Sequence, residues 1–114
     1  MSVRRITKLA KARRVAGRMN GYEAEYEQLF LMQKPHGFEQ WTFRLGDDCR
    51  YTPDFWVQEP DDTISMIEVK GHWMDGAKEK IRIASEMYPM FRWQAFRRVK
   101  KVWQVEHFGL EDAA

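Results

Sequence analysis

Turn-forming residues cut the middle of the chain into three short apolar runs, and this punctuation limits the folds available to it. The run 38–45 (FEQWTFRL) stops at Gly46-Asp47-Asp48, 51–58 (YTPDFWVQ) at Glu59-Pro60-Asp61-Asp62, and 64–70 (ISMIEVK) at Gly71. Short runs rich in aromatic and β-branched residues, separated by polar turns, read as an antiparallel meander of three strands. Pro53 has no N–H for a sheet ladder, so the second strand lies at an edge or is distorted there. Upstream, a helix is expected over 20–33. Asn20 and Glu23 form a capping-box pattern, Tyr22, Tyr26, Leu29 and Phe30 make its apolar stripe, and Pro35 and Gly37 stop it. Downstream, a helix over 75–88 is capped by Asp75 and carries Ala77, Ile81, Ala84 and Tyr88 on one face. Strands over 91–96 and 102–108 follow, joined by the basic stretch Arg97-Arg98-Val99-Lys100-Lys101. The order is helix, three-strand meander, helix, two strands: an α/β chain with a mixed sheet flanked by helices.

At 114 residues this is one domain, too short for a two-domain dehydrogenase or a barrel enzyme. Sixteen aromatic residues supply a core. The single cysteine, Cys49, in a polar loop, excludes an internal disulfide and a Cys-rich zinc module. No apolar run reaches the ~18 residues of a membrane span, and the basic N-terminus lacks the apolar stretch of a secretory signal. A soluble, cytoplasmic protein is expected.

The net charge of +2 conceals an asymmetry. Residues 1–18 hold Arg4, Arg5, Lys8, Lys11, Arg13, Arg14 and Arg18 with no acid, leaving 12 basic and 17 acidic groups on the other 96 residues. A basic arm on an acidic body suits contact with a polyanion, most often a phosphate backbone. Val3, Ile6, Leu9, Ala10 and Val15 recur at loosely helical spacing in the arm, a pattern also compatible with a helix on a membrane surface. The expected organisation is an arm over 1–18, a folded domain over 19–110 and a tail over 111–114.

Chemistry concentrates in Pro53-Asp54 and, after thirteen intervening residues, Glu68-Val69-Lys70. Alternate strand residues share a face, so Glu68 and Lys70 point together while Val69 turns into the core. Asp54 on the neighbouring strand brings a second carboxylate to Glu68. Two such groups repel unless a cation or proton lies between them, and hard oxygen donors suit Mg2+. A nearby lysine adds fixed positive charge beside an attacking water. Phosphodiester hydrolysis needs these elements: an activated water and compensation for charge growing on phosphorus. A surface ion pair between Glu68 and Lys70 is the non-functional alternative.

The spacing Asp54…Glu68-Val69-Lys70, in this order of elements, resembles the PD-(D/E)XK nuclease superfamily. The fuller pattern is Asn20-Gly-Tyr-Glu-Ala-Glu-Tyr, Tyr51-Thr-Pro-Asp-Phe, Glu68-Val-Lys-Gly-His-Trp and Tyr88-Pro89. It is similar to small phage-encoded endonucleases of the Holliday-junction resolvase type, over roughly residues 19–108. The resemblance implies a restriction-endonuclease-like core. It also implies Asp54, Glu68 and the Val69 carbonyl as ligands of Mg2+ (or Mn2+), and Lys70 as the residue that positions or activates water. Its additional helix acid maps to Glu23. Glu23 is also where a capping glutamate belongs, and Glu27, one turn along, is the substitute if it caps.

Further contacts to DNA are expected from His72 and Trp73 in the loop after Lys70, and from Lys78, Lys80 and Arg82 on the second helix. The basic residues of 97–101 add to these. Trp73, outside the strand periodicity, is the expected exposed ring for stacking on an unpaired base. Trp41, Phe43, Phe55, Trp56, Trp93, Phe96 and Trp103 are assigned to packing. His36 and His107 have no ligand-like neighbours in sequence. The expected activity is that of a Mg2+-dependent endodeoxyribonuclease selecting branched or junction DNA by shape. A homodimer is expected, because cutting both strands of a symmetric junction takes two sites. A nickase, a flap or duplex endonuclease, and a catalytically silent DNA-binding phage accessory protein are the alternatives.

Overall fold

The first helix begins where its capping residues require. In the computed structural model, which describes residues 17–73 and 76–109, Asn20 Oδ1 accepts from the Glu23 N–H at 2.8 Å. Glu23 Oε1 accepts in return from the Asn20 N–H, also at 2.8 Å. This box starts α1, Gly21–Tyr26, which widens into a π-helical stretch, Glu27–Leu31. The expected stripe assumes an unbroken 3.6-residue period. The wider turn moves the buried face to Glu23, Tyr26 and Leu31, leaving Tyr22, Leu29 and Phe30 exposed.

Seven strands follow: β1 (His36–Phe38), β2 (Phe43–Gly46), β3 (Cys49–Tyr51), β4 (Phe55–Gln58), β5 (Ile64–Lys70), β6 (Arg92–Val99) and β7 (Val102–Phe108). Between β5 and β6 lies α2, Ala77–Met87. The main sheet has the order β1-β4-β5-β6-β7, and β2 and β3 form a separate two-stranded ribbon. All pairs are antiparallel except β5/β6, which is parallel with α2 as its crossover.

Strands β1, β4 and β5 form an antiparallel unit, but the expected meander is met only in part: of its first strand, 38–45, only Phe38 lies in β1, and 43–45 fall in the separate ribbon. Its first strand breaks after Phe38, where Glu39 takes a positive φ of 52°, and its second breaks around Pro53. Between the breaks the chain leaves the sheet as the β2–β3 ribbon, so Cys49 starts a strand instead of lying in a loop. At the other end β6 runs to Val99, three residues beyond expectation. Lys100 and Lys101, at φ 51° and 67°, make the two-residue turn into β7. Such turns usually use Asn or Gly, so the lysines conceal it in the sequence.

Helix α2 starts after Gly76, which has φ 80° and offers no side-chain cap. The expected cap Asp75, the arm residues Arg4, Arg5, Lys8, Lys11, Arg13 and Arg14, and the tail 111–114 lie outside the described residues. Among the described residues no helix is long and apolar enough to cross a membrane.

The sheet separates two cores. Under α1, Tyr26, Leu31, Phe55, Val57, Ile67 and Val69 pack together. On the other face Phe43 and Tyr51 of the ribbon and Ile81 and Ala84 of α2 cover Met66 and Trp93. Phe43, Phe55 and Trp93 are buried, and Trp41, Trp56, Phe96 and Trp103 pack half-buried against these cores, as expected for core aromatics. The carboxyl end of β5 runs out between these layers, beside the start of α1.

Candidate active site

The β4/β5 ladder ends at Phe55↔Ile67. One step beyond it the chain enters Pro53, and the Asp54 side chain takes over the role of a ladder carbonyl. Asp54 Oδ2 accepts from the Val69 N–H at 2.8 Å. A strand residue presents its N–H and C=O to the same side, so the Val69 carbonyl faces the edge that Asp54 occupies. Ile67 and Val69 pack under α1, and alternation carries Glu68 and Lys70 to the opposite face. There Lys70 Nζ lies 3.0 Å from Glu68 Oε2. The Tyr51 hydroxyl donates to Glu68 Oε1 at 2.6 Å.

The buried acids among the described residues are Glu23, Asp54 and Glu68, at 2%, 5% and 8% exposure. Their charges act on one another. Burial pushes the Asp54 carboxyl well above the usual range, and the negative charges of Glu68 and Glu23 push it further. Burial works against the charge of Lys70, but Glu68, Asp54 and Glu23 outweigh it and hold the ammonium above its ordinary value. Tyr51 is also driven up, by burial and then by Glu68. Among the described residues three buried acids thus act on one another around the half-buried Lys70, an arrangement that favours uptake of a positive ion.

Glu23 makes the capping contact that its position in the sequence allows, and it is also buried close enough to act on the site acids. One carboxylate oxygen closes the capping box, and the group's charge still reaches Asp54 and Lys70. Glu27, the other candidate helix acid, is engaged by a histidine. Its Oε2 pairs with His36 Nε2 at 2.8 Å, which also gives His36 the partner its sequence neighbours did not suggest.

A cation fits the donor chemistry: Asp54, Glu68 and the Val69 carbonyl are hard oxygen donors at one strand end. Among the described residues no three His, Cys, Asp or Glu side chains form a ready-made cage. Mg2+ ordinarily binds through one or two carboxylates and fills its remaining positions with water and phosphate oxygens.

Comparison with family models, curated proteins and solved structures yields no match.

The remaining expected residues divide. Trp73 is half-buried against the α2-side core, not a free ring, and the Lys70 and Lys78 ammonium groups lie 5.8 and 5.6 Å from its ring centroid. The strand ends at Lys70, so the chain turns Trp73 back onto this face. His72 and Arg18 are exposed. Lys78 pairs with Glu106 at 3.1 Å, and Arg82 with Glu79 at 3.3 Å. Lys80 donates to the Arg50 carbonyl at 3.2 Å.

Tyr51 was not among the expected site residues. It stands in the same Tyr-Thr-Pro-Asp-Phe run as Asp54, yet its partner Glu68 is 17 positions away and only the ribbon fold joins them. Tyr22 also reaches the site. A Cβ on Gly71 would come within 2.5 Å of the Tyr22 ring, so glycine at 71 lets that ring lie against the backbone just past Lys70.

Proposed function

We propose that this protein is a metal-dependent endodeoxyribonuclease with a PD-(D/E)XK-type, restriction-endonuclease-like core, acting on branched DNA in the manner of a phage junction resolvase. One observation carries the reading: the buried carboxyls of Asp54 and Glu68 and the half-buried Lys70 gather at the end of β5, with the buried Glu23 acting on them electrostatically. A surface ion pair would leave these groups solvated and largely indifferent to one another.

Asp54, Glu68 and the Val69 carbonyl would hold Mg2+ or Mn2+. When bound, the ion supplies positive charge for the phosphorane-like transition state and makes water a competent nucleophile near neutral pH. Lys70, kept protonated by the surrounding acids, holds charge beside the phosphate and orients the attacking water. Tyr51 fixes the Glu68 carboxylate, and Glu23 adds negative charge that keeps the site selective for cations. A symmetric junction needs two such sites, so the working unit is a homodimer. The arm and the exposed cations contact phosphates without reading bases, in keeping with a target chosen by shape. Action on DNA inside a host cell places the protein in the cytoplasm.

The test is cleavage of a four-way junction, a flap, a nicked duplex and a plain duplex by wild type, Asp54→Asn and Glu68→Gln. Metal-dependent cutting of the junction by wild type, with binding but no cutting by either variant, is the expected result. Preference for the flap or duplex would reassign the substrate. Undiminished cutting by the variants would refute the site. Junction binding without any cleavage in Mg2+ or Mn2+ would mark a silent DNA-binding protein.

A further inference from the structure

The parallel register of β5 and β6 places Arg97 directly beside Lys70. Register partners share a face, and neighbouring strands lie about 4.8 Å apart. Arg97 therefore emerges on the side of the sheet that bears Glu68 and Lys70. Trp93 and Ala95, preceding it at alternate positions, are buried in the α2-side core, so Arg97 stands where that core gives way to the site. Its neighbour on β7 is the uncharged Gln104.

The other cations nearby have internal partners. Arg98 pairs with Glu25 at 3.0 Å, Lys78 with Glu106 at 3.1 Å and Lys70 with Glu68 at 3.0 Å. Arg97 has none among the described residues. The buried side-chain nitrogens without a hydrogen-bond partner there are Arg97 Nε and Trp103 Nε1, and only the first is cationic. Buried polar groups are nearly always satisfied, and an exception calls for a partner. A guanidinium is a planar fork of donors that matches phosphate oxygens in pairs.

We propose that Arg97 binds a backbone phosphate of the DNA, adjoining the phosphate attacked beside Lys70. The idea rests on the nuclease reading of the site and deepens it: Lys70 and Arg97 on adjacent strands address neighbouring points of one sugar–phosphate chain. Arg97 is a binding residue here, with no part in activating water.

The experiment uses the full chain and a fluorescent four-way junction, with binding measured in EDTA across a salt series. Arg97→Gln should weaken binding about tenfold and reduce the salt slope by about 0.9, the value for one lost phosphate contact. Arg97→Lys should restore the slope but only part of the affinity, because the fork is lost. In cleavage assays Arg97→Gln should raise KM while kcat stays within about threefold. The Arg97 Nε–Hε resonance of the wild type should shift when junction DNA is added in EDTA, which decides the matter even if Arg97→Gln folds poorly. An unmoved resonance, or unchanged affinity and slope in folded Arg97→Gln, would overturn the phosphate contact. Cleavage with a slope independent of Arg97 would overturn the contact and leave the nuclease reading intact. An Arg97-dependent slope without any cleavage would do the reverse.

Discussion

Tyr51 donates its hydroxyl hydrogen to Glu68 Oε1 at 2.6 Å, tying the β2–β3 ribbon to the central strand of the main sheet. Lys70 holds the other oxygen of the same carboxylate at 3.0 Å, so Glu68 is fixed at both ends. Replacing Tyr51 by phenylalanine keeps the ring in the core but removes one donor to a buried charge. Tyr51→Phe should cost about 1.5–3 kcal/mol in urea unfolding, the range for hydrogen bonds to charged groups. An unfolding midpoint equal to wild type would show that the bond contributes nothing.

Asp54 makes the metal-free fold sensitive to pH. Its folded-state pKa is raised, so its contribution to stability is fully present below the ordinary carboxylate range near 3.9 and is lost as pH rises through the raised folded value. In EDTA the melting temperature should therefore fall as pH increases over that window, and Asp54→Asn should flatten the decline and melt higher than wild type near neutral pH. Mg2+ at a hundredfold excess over its dissociation constant should stabilise wild type by about 2.7 kcal/mol and leave Asp54→Asn nearly unchanged. A Mg2+ response of equal size in the variant would remove Asp54 from the ligand set.

Two ammonium groups, those of Lys70 and Lys78, lie over the Trp73 ring. Cation–π attraction of about 0.5–2 kcal/mol corresponds to a factor of roughly 2–30 in rate, if holding Lys70 is what the ring contributes. Trp73→Ala should slow cleavage by that factor with junction affinity unchanged, and Trp73→Phe should recover part of the rate. A fall in affinity with kcat preserved would favour base stacking instead.

His36 joins the π-helical stretch to β1. Nδ1 faces the Lys34 carbonyl and Nε2 faces Glu27, each at 2.8 Å, and only the protonated ring donates to both. Burial opposes that proton, but these two acceptors prevail and raise the His36 pKa. The stabilisation is complete below the ordinary histidine value near 6.5 and disappears as pH rises through the raised folded value. Urea unfolding at pH 6 and pH 9 should show wild type losing about 1 kcal/mol that His36→Gln never had. Parallel pH profiles for the two proteins would refute the linkage.

Much of the local structure could be read in advance. The capping box of Asn20 and Glu23, the strand 64–70 and the strand 102–108 follow from short-range patterns, and each is found where those patterns place it. The joint orientation of Glu68 and Lys70 also follows from strand alternation. The π-helical stretch, the excursion of the β2–β3 ribbon and the lysine turn at 100–101 did not, because tertiary packing overrides the local preferences of those residues.

The sequence alone determined the residue types of the site and the strand period that turns Glu68 and Lys70 the same way. Only the tertiary structure decided their company: Tyr51 on Glu68, Glu23 near Asp54, and Arg97 next to Lys70 with no partner among the described residues. The division has a physical cause. Caps and strand alternation are set by covalent geometry over a few residues. The field at a buried carboxylate is set by whichever charges the fold brings near, however far apart they lie along the chain.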